Sequence, residues 1–401
     1  MFLGIIGTLF SICEIATFYY NPVLYVPDWI DYLNHQDNLT RDLFANYDPT
    51  ISSVYSSSFD YEPSHNHTRT VDRWNYTILL YYLKLVEVQE PEEKVSVVLE
   101  LVEQWYDPRL SWNSSLYSNI PTVFVRQEKV WSPTLSAFGV NEIIDFRDQD
   151  FRIVSIDDIG YIQDYLSVRV SSNCPMDVSR FPFDSQTCQI CFCLPIFNIR
   201  QVKILNEIYE GILQEKIIKT MGNSEWKVVS LTNRVEQLKY DDDYGNMDLA
   251  VFEITIRRNP LYYIYMIVFP SFVINGISIV GIFLKSADKM SKLNVGLTNI
   301  MTMTFILGVM ADKIPRTGSI PLLGIYIIIN LLIMIIAITV VVLITELRQW
   351  AVPRLKLKKS YISRKLETFL GSPIEYTCAI LLEFLTTANF FVIIGFWFED
   401  L

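Results

Sequence analysis

Seven residues recur at intervals of three and four along one apolar block, and their types suit the passage of ions. They are Ser291, Asn294, Thr298, Met301, Phe305, Gly308 and Asp312. This spacing places them on one face of an α-helix, polar at one end, apolar in the middle and acidic at the other. Around a shared axis, Asn294 and Thr298 would form hydrated constrictions, Met301 and Phe305 a dewetting gate, and Asp312 a charged collar. The alternative is a buried helix with a polar stripe against its neighbours.

Patterns for catalysis and metal binding are missing from the sequence. It contains no phosphate-binding loop and no nucleophile elbow. Its three histidines, His35, His65 and His67, lie in polar N-terminal stretches and are predicted to be surface residues. The net charge of -11 argues against nucleic acid, which binds to basic faces. We therefore expect no enzyme activity, no cofactor, no metal ion and no nucleic-acid partner.

Of the six cysteines, Cys174 and Cys188 are the expected disulfide, provided that the compartment is oxidising. They bracket thirteen residues whose middle reads Phe-Pro-Phe-Asp. Cys191 and Cys193 would share one face of a strand, where neighbours rarely form a bridge. We interpret them as small buried residues.

The N-terminus and the sequons indicate an extracellular compartment. Residues 2–18 form an apolar run, and we predict a signal peptide over residues 1–20. Four Asn-X-Ser/Thr sequons follow, all before residue 260. The candidate glycosylation sites are Asn38, Asn66, Asn75 and Asn113.

The composition changes near Pro260. Before it, short runs such as YLSVRVSS and LAVFEITIRR alternate apolar and polar residues, which predicts antiparallel strands in a sandwich or barrel. The stretch from Val26 to Tyr47 has helical spacing. After Pro260, four apolar blocks at 261–284, 292–314, 321–344 and 374–398 are each long enough to cross a bilayer of about 30 Å. The second carries Asn and Thr residues, as expected of a helix with one wet side.

Basic residues set the predicted orientation. They cluster at 285–292 and 348–365, so both loops are predicted to face the cytoplasm. The basic, amphipathic second loop either lies along the anionic inner leaflet or is a plain linker. The predicted divisions are a signal peptide at 1–20, an extracellular ligand-binding domain at 21–259, three membrane helices within 260–344, a short cytoplasmic segment at 345–373, and a fourth membrane helix with an extracellular C-terminus at 374–401.

Several motifs, in order and spacing, resemble the Cys-loop receptors, the pentameric ligand-gated ion channels. The resemblance rests on the two cysteines around FPFD, on WYDPRLSW (105–112), VWSP (130–133) and RRNPLYY (257–263), and on SKLNVGLTNIMTMTFILGVMADKIP (291–315). It implies an all-β, immunoglobulin-like extracellular sandwich with an N-terminal helix, then a four-helix membrane bundle. It also implies five identical or related subunits around a pore in the plasma membrane, with agonist bound between adjacent subunits.

In this family the disulfide-closed loop lies at the base of the sandwich, against the membrane helices. The resemblance therefore implies that Phe181, Pro182 and Phe183 pack between the domains and that Asp184 pairs with a base, for which Arg258 is the candidate. The Phe181–Pro182 bond is a candidate for the cis form. A short closed loop has little entropy left to lose, so its tip transmits movement.

The ligand site departs from the amine-binding members of the family, which surround an ammonium group with aromatic rings. The corresponding positions, counted from the motifs, are Phe138, Pro195, Phe197, Tyr240, Tyr244 and, on the complementary strand, Glu100. Proline and glutamate replace two expected aromatic residues. The box is incomplete, so the small-molecule agonist is expected to be either an amine or an apolar compound. The four aromatic residues either line this cleft or belong to the sandwich core.

Ion selectivity rests on a few charges. Asp312 and Asp288 favour cations, whereas Lys289 and Lys292 oppose them unless they point away from the axis. Ser291 occupies the inner mouth, where cation-selective members usually carry Glu. We predict a ligand-gated cation channel subunit whose partners are agonist, permeant ions, membrane lipid and four further subunits. The alternatives are an anion-selective receptor and a subunit that conducts only beside a partner subunit.

Overall fold

Alternating apolar and polar residues up to Arg258 form strands, as this pattern predicts. The structure is a computed structural model, and it describes residues 29–54, 73–239, 246–284, 288–315, 318–357 and 372–399. The strands in chain order are β1 (Trp74–Gln89), β2 (Lys94–Tyr106), β3 (Thr122–Arg126), β4 (Ser136–Phe138), β5 (Val140–Asp145), β6 (Ile153–Asp157), β7 (Tyr161–Asn173), β8 (Ser185–Cys193), β9 (Val202–Ile208), β10 (Trp226–Leu238) and β11 (Met247–Arg258).

Helix α1 (Trp29–Phe44) precedes the strands, and a short helix α2 (Glu215–Met221) precedes β10. Asp31 lies in the first turn of α1 and Arg41 in its last turn, an arrangement that suits the helix dipole. Leu39 is its one fully buried residue, whereas Trp29 and Leu33 are exposed. The predicted N-terminal helix is therefore present. The predicted signal peptide lies outside the described residues.

Contacts divide the chain into two units. The smaller contains residues 1–74, 104–133 and 149–164. In it, β3 pairs antiparallel with β6, and β6 pairs with the first residues of β7. The turn before β7 depends on Gly160, whose φ of 93° few other residues adopt. A Cβ atom at this glycine would lie 2.6 Å from the carbonyl oxygen of Asp107.

The larger unit contains residues 75–103, 134–148 and 165–401. One of its sheets has the order β7-β2-β1-β9, with β5 paired to β7, and the other has the order β10-β11-β8-β4. Phe192 of β8 and Phe252 of β11 are fully buried and meet edge to face at 6.2 Å. The Asn206 amide of β9 donates to the carbonyl oxygen of Val251 at 3.0 Å, which links the two sheets. The predicted sandwich is confirmed.

Four helices follow, and each is long and apolar enough to cross a membrane. They are α3 (Leu261–Phe283), α4 (Lys289–Ala311), α5 (Leu322–Leu357) and α6 (Ser372–Glu399). Within α3, residues 264–268 form a π-helical turn just before Pro270. Helix α5 continues thirteen residues past the predicted end of its span at 344, because helical hydrogen bonds do not require an apolar sequence.

Polar side chains inside this four-helix bundle pair with one another, because lipid offers no hydrogen-bond partner. Asn299 of α4 donates to Asn275 of α3 at 3.0 Å. Asn389 of α6 donates to Asn330 of α5 at 3.0 Å. The Asn299–Asn275 pair turns the Asn299 side of α4 toward the bundle, and the opposite side is left outward.

Candidate functional site

The loop between β7 and β8 is closed by a disulfide between Cys174 and Cys188. Inside the loop, the Gln186 amide donates to the Asp177 carbonyl oxygen at 2.8 Å and to an Asp184 oxygen at 2.7 Å. The backbone N–H of Ser179 donates to the Asp177 carboxylate, which lowers the pKa of that carboxyl below its ordinary value. The loop therefore has its own internal bracing, and the Phe181–Pro182 bond at its tip is cis.

Arg258, the last residue of β11, is 2 % exposed and lies at the centre of an ionic cluster. Its Nε donates to Asp184 Oδ1 at 2.8 Å, and Asp184 is also 2 % exposed. Its Nη1 donates to Glu90 and to Glu225, each at 2.8 Å. Thus Asp184 and Arg258 form the pair expected from the sequence, with two further carboxylates that the sequence did not indicate.

Aromatic rings surround the Arg258 guanidinium. Its central carbon lies 4.1 Å from the Trp226 ring centroid, 4.7 Å from that of Phe181 and 5.7 Å from that of Tyr263. Burial disfavours the charge, but Asp184 and Glu90 outweigh it, so the pKa of Arg258 is raised above its ordinary value. The guanidinium is permanently charged, and it links the loop tip, β10, β11 and the start of α3.

The loop tip also contacts the start of α5. The backbone N–H of Leu322 donates to the Ser179 carbonyl oxygen at 3.0 Å, and that of Leu323 donates to the Phe181 carbonyl oxygen at 3.1 Å. First-turn N–H groups have no partner inside their own helix, so the loop caps α5. Phe181 and Phe183 are both buried here.

Helix α4 has one outward and one inward side. The inward side carries Gly296, Asn299, Met303 and Met310, which are buried. All seven residues of the predicted face are exposed, and the apolar pair Met301 and Phe305 are 73 % and 71 % exposed. Asp312 lies just after the helix, at its C-cap.

The two lysines at the inner end of α4 lie toward α5. Lys289 Nζ is 2.5 Å from Glu346 Oε1 of α5. Lys292 is half-buried and lines a cavity together with Ile338 and Val341 of α5. Ser291, between them in sequence, is exposed.

The candidate ligand-binding residues fall on different elements. Phe138 is exposed at the end of β4, opposite Cys191 of β8. Pro195 is exposed and Phe197 is half-buried, both in the turn after β8. Register places Ser136 opposite Cys193, the last residue of β8, so Phe138 lies two residues further from Pro195 along the strand. Tyr240 and Tyr244 lie outside the described residues.

Glu100 belongs to β2, in the other sheet of the larger unit, so the single chain does not bring it to Phe138. Its carboxylate accepts a hydrogen bond from the Tyr165 hydroxyl. Burial first, and then this carboxylate, raises the pKa of Tyr165 above its ordinary value. Burial and the charge of Glu100 also raise the pKa of Tyr82. Neither tyrosine had a local signal in the sequence, because the two come from separate strands, β1 and β7.

Cys191 and Cys193 are free thiols, half-buried and buried respectively. Burial raises the pKa of both above the ordinary thiol value. Both pack with Leu249 and Val251 of β11. Cys193 is the small buried residue predicted from the sequence, whereas Cys191 is only half-buried.

Three of the four sequon asparagines are exposed, and the fourth lies outside the described residues. Asn75 is the second residue of β1, and Asn38 is in α1. Asn113 accepts a hydrogen bond from the Ser115 backbone N–H at 3.1 Å. Asn66 is the one that is not described.

The sequence model of the neurotransmitter-gated ion-channel ligand binding domain matches residues 36–260, more than half of the 401 residues. The chain belongs to the Cys-loop receptor family. This Cys-loop receptor subunit has the family's mostly β ligand-binding domain with its N-terminal helix, followed by four candidate membrane helices. The family consists of ligand-gated ion channels, not enzymes.

Curated relatives support the same assignment. Ligand-gated ion channel 4 of Caenorhabditis elegans is 27% identical over 72% of this chain and 46% of its own length. The acetylcholine receptor subunit epsilon of Rattus norvegicus is 27% identical over 79% of this chain and 63% of its own length. The 5-hydroxytryptamine receptor 3A of Cavia porcellus is 24% identical over 66% of this chain and 53% of its own length. The chain spans about half the length of the first of these relatives.

These findings identify a multi-pass plasma-membrane receptor subunit whose N-terminal domain is extracellular. The Arg258 cluster therefore lies where the extracellular domain continues into α3. Because the N-terminal domain is extracellular and α3 is a candidate membrane span, the inner end of α4 is expected on the cytoplasmic side.

Proposed function

We propose that this Cys-loop receptor subunit forms a pentameric, ligand-gated, cation-selective channel whose pore is lined by the outward face of α4. The observation that carries the proposal is the two-sidedness of α4. The seven residues predicted to face the pore are exposed, whereas Gly296, Asn299, Met303 and Met310 are buried.

Water, not lipid, is the environment that suits this face. From Ser291 to Asp312 it runs about 31 Å, close to the thickness of a bilayer core. It includes Asn294, Thr298 and a carboxylate, and polar or charged side chains directed to lipid are costly. The exposed Met301 and Phe305 in its middle would then form a constriction that closes by dewetting.

Charge favours cations along this face. Five copies of the exposed Asp312 would form an acidic ring at the outer end. The lysines that would repel cations at the inner end lie toward α5, because Lys289 pairs with Glu346 and Lys292 lines the cavity beside Ile338. This leaves the neutral Ser291 on the outward face at the inner mouth.

The test of selectivity is the reversal potential of agonist-evoked current from the subunit expressed alone. A tenfold dilution of external sodium chloride is expected to shift it negative by up to about 59 mV for a cation channel. A positive shift would mean an anion channel and would refute this part of the proposal. Current only on co-expression with a related subunit would instead support the partner-dependent alternative.

The agonist proposed for this channel is an organic cation. Glu100 supplies a carboxylate beside Tyr82 and Tyr165, and carboxylates and aromatic rings both attract ammonium groups. Acetylcholine and 5-hydroxytryptamine, after which two of these relatives are named, each carry a positively charged nitrogen.

Glu100→Gln is the variant that tests this ligand class. A charge pair about 4 Å apart gains about 1 kcal/mol in water and more where water is excluded, so we expect the half-maximal agonist concentration to rise about fivefold or more. Glu142→Gln, an exposed acid on β5, is the matched control. An equal response of both variants to acetylcholine and 5-hydroxytryptamine would contradict a role for Glu100 in binding a cation.

A further inference from the structure

A cavity of about 110 Å³ lies at the inner end of the four-helix bundle. Three helices contribute to its walls. The lining residues are Ile282 of α3, Lys289, Lys292 and Leu293 of α4, and Ile338, Val341, Val342 and Thr345 of α5. None of them belongs to the outward face of α4, so the cavity is separate from the proposed pore.

The two lysines at the cavity differ in whether they have an ion-pair partner. Lys289 is matched by Glu346, with Nζ and Oε1 2.5 Å apart. Lys292 has no ion-pair partner among the described residues. The backbone N–H of Lys292 donates to the Asp288 carbonyl oxygen at 3.1 Å, which leaves the ammonium group uninvolved. The remaining walls are aliphatic apart from Thr345, whose hydroxyl donates to the Val341 carbonyl oxygen at 2.7 Å. One unpaired cation therefore faces a mostly hydrocarbon cavity.

Such a combination suits a ligand that is anionic at one end and apolar at the other. The cavity is large enough for a phosphate group but not for a whole lipid. Acyl chains would lie outside it, against the bundle. Its position is also favourable, because the inner leaflet holds the anionic lipids and basic residues near it gain from them. Helix α5 continues past this level to Leu357 in a sequence rich in Arg and Lys.

We infer that this cavity binds the phosphate group of an anionic phospholipid from the inner leaflet, with Lys292 as the principal ligand. The bound lipid contacts both α4 and α5, so it holds the inner end of the proposed pore helix against its neighbour. The inference uses the membrane orientation of the receptor but does not depend on ion conduction.

The experiment is a lipid titration of the intact, detergent-purified receptor, read by native mass spectrometry. The lipids are phosphatidylserine and, as the zwitterionic comparison, phosphatidylcholine. The variants are Lys292→Gln, Lys292→Arg and, as the matched control at the outer end of α4, Lys313→Gln. Only preparations that elute as a single oligomeric species are compared, which excludes misfolded variants.

Each basic residue contributes about fivefold to the binding of an anionic lipid. We therefore expect Lys292→Gln to weaken phosphatidylserine binding about fivefold, and Lys292→Arg and Lys313→Gln to leave it unchanged. Phosphatidylcholine binding should not respond to any variant. The inference is overturned if Lys292→Gln and Lys313→Gln behave alike, or if Lys292→Gln weakens both lipids equally.

A competition arm separates a membrane lipid from a soluble phosphate. Glycerophosphoserine carries the same headgroup without acyl chains. Weak competition by it supports a lipid occupant, whereas competition equal to that of phosphatidylserine would assign the cavity to soluble phosphates and overturn the inference. No current is measured, so these outcomes are independent of the test of channel function.

Discussion

The cluster around Arg258 makes a quantitative prediction, because its carboxylates differ in burial. The side chain of Asp184 is 1% exposed and that of Glu225 is 44% exposed. Removing one partner of a buried ion pair typically costs 3–5 kcal/mol, whereas an exposed pair contributes about 0–1 kcal/mol. Asp184→Asn keeps the shape and removes the charge. Because Glu90 and Glu225 still face the guanidinium, we expect a cost near the lower limit, about 3 kcal/mol.

The assay is the temperature at which half of the receptor survives as an intact oligomer after a fixed heating time, measured by size-exclusion chromatography. For a domain of this size, 1 kcal/mol corresponds to about 2–4 °C. Asp184→Asn should therefore lower the midpoint by about 6–12 °C. Glu225→Gln, the matched control, should lower it by at most about 2–4 °C.

Equal midpoints for the two variants would refute the reasoning from burial. A midpoint for Asp184→Asn close to that of the unmodified receptor would show that the loop tip does not depend on its charge pair. Fixed heating times are needed because membrane receptors often unfold irreversibly, so the midpoint reports a rate.

Three further predictions concern the pore, a turn and a buried thiol. Phe305→Ser should wet the proposed gate and produce leak current without agonist. Met303→Ser, on the buried side of α4, should instead reduce assembly. Equal leak current from the two variants would contradict the proposed pore face. Gly160→Ala should reduce the amount of receptor at the cell surface, measured by biotinylation. A positive φ costs alanine about 1–2 kcal/mol, and its Cβ would approach the Asp107 carbonyl oxygen. Unchanged surface levels would count against this turn geometry. Maleimide should label Cys193 more slowly in the folded receptor than in the denatured chain between about pH 7 and 9. Burial raises the thiol pKa, so less of the reactive thiolate is present at each pH. Equal labelling rates, measured by mass spectrometry, would show that the thiol is accessible.

Local patterns in the sequence were enough to predict most elements. Alternation over short runs predicted β7 and β11, and hydropathy predicted the four helices after Pro260. The spacing of three and four predicted which side of α4 is outward, because helical geometry is a property of the backbone and a side chain's direction follows from its position. The end of α5 was the exception. Hydropathy falls near 344, but the helix continues to Leu357.

Only the tertiary structure decided which charges meet. Arg258 and Glu90 are 168 positions apart, and Lys289 and Glu346 are 57 apart, so no periodicity relates them. Each pair forms because strand pairing or helix packing brings two distant backbones together. At the buried Arg258, an unpaired charge would also be costly. The sequence by itself determined the elements and the outward face of α4. Long-range packing determined the partners of Arg258 and turned the inner lysines away from that face.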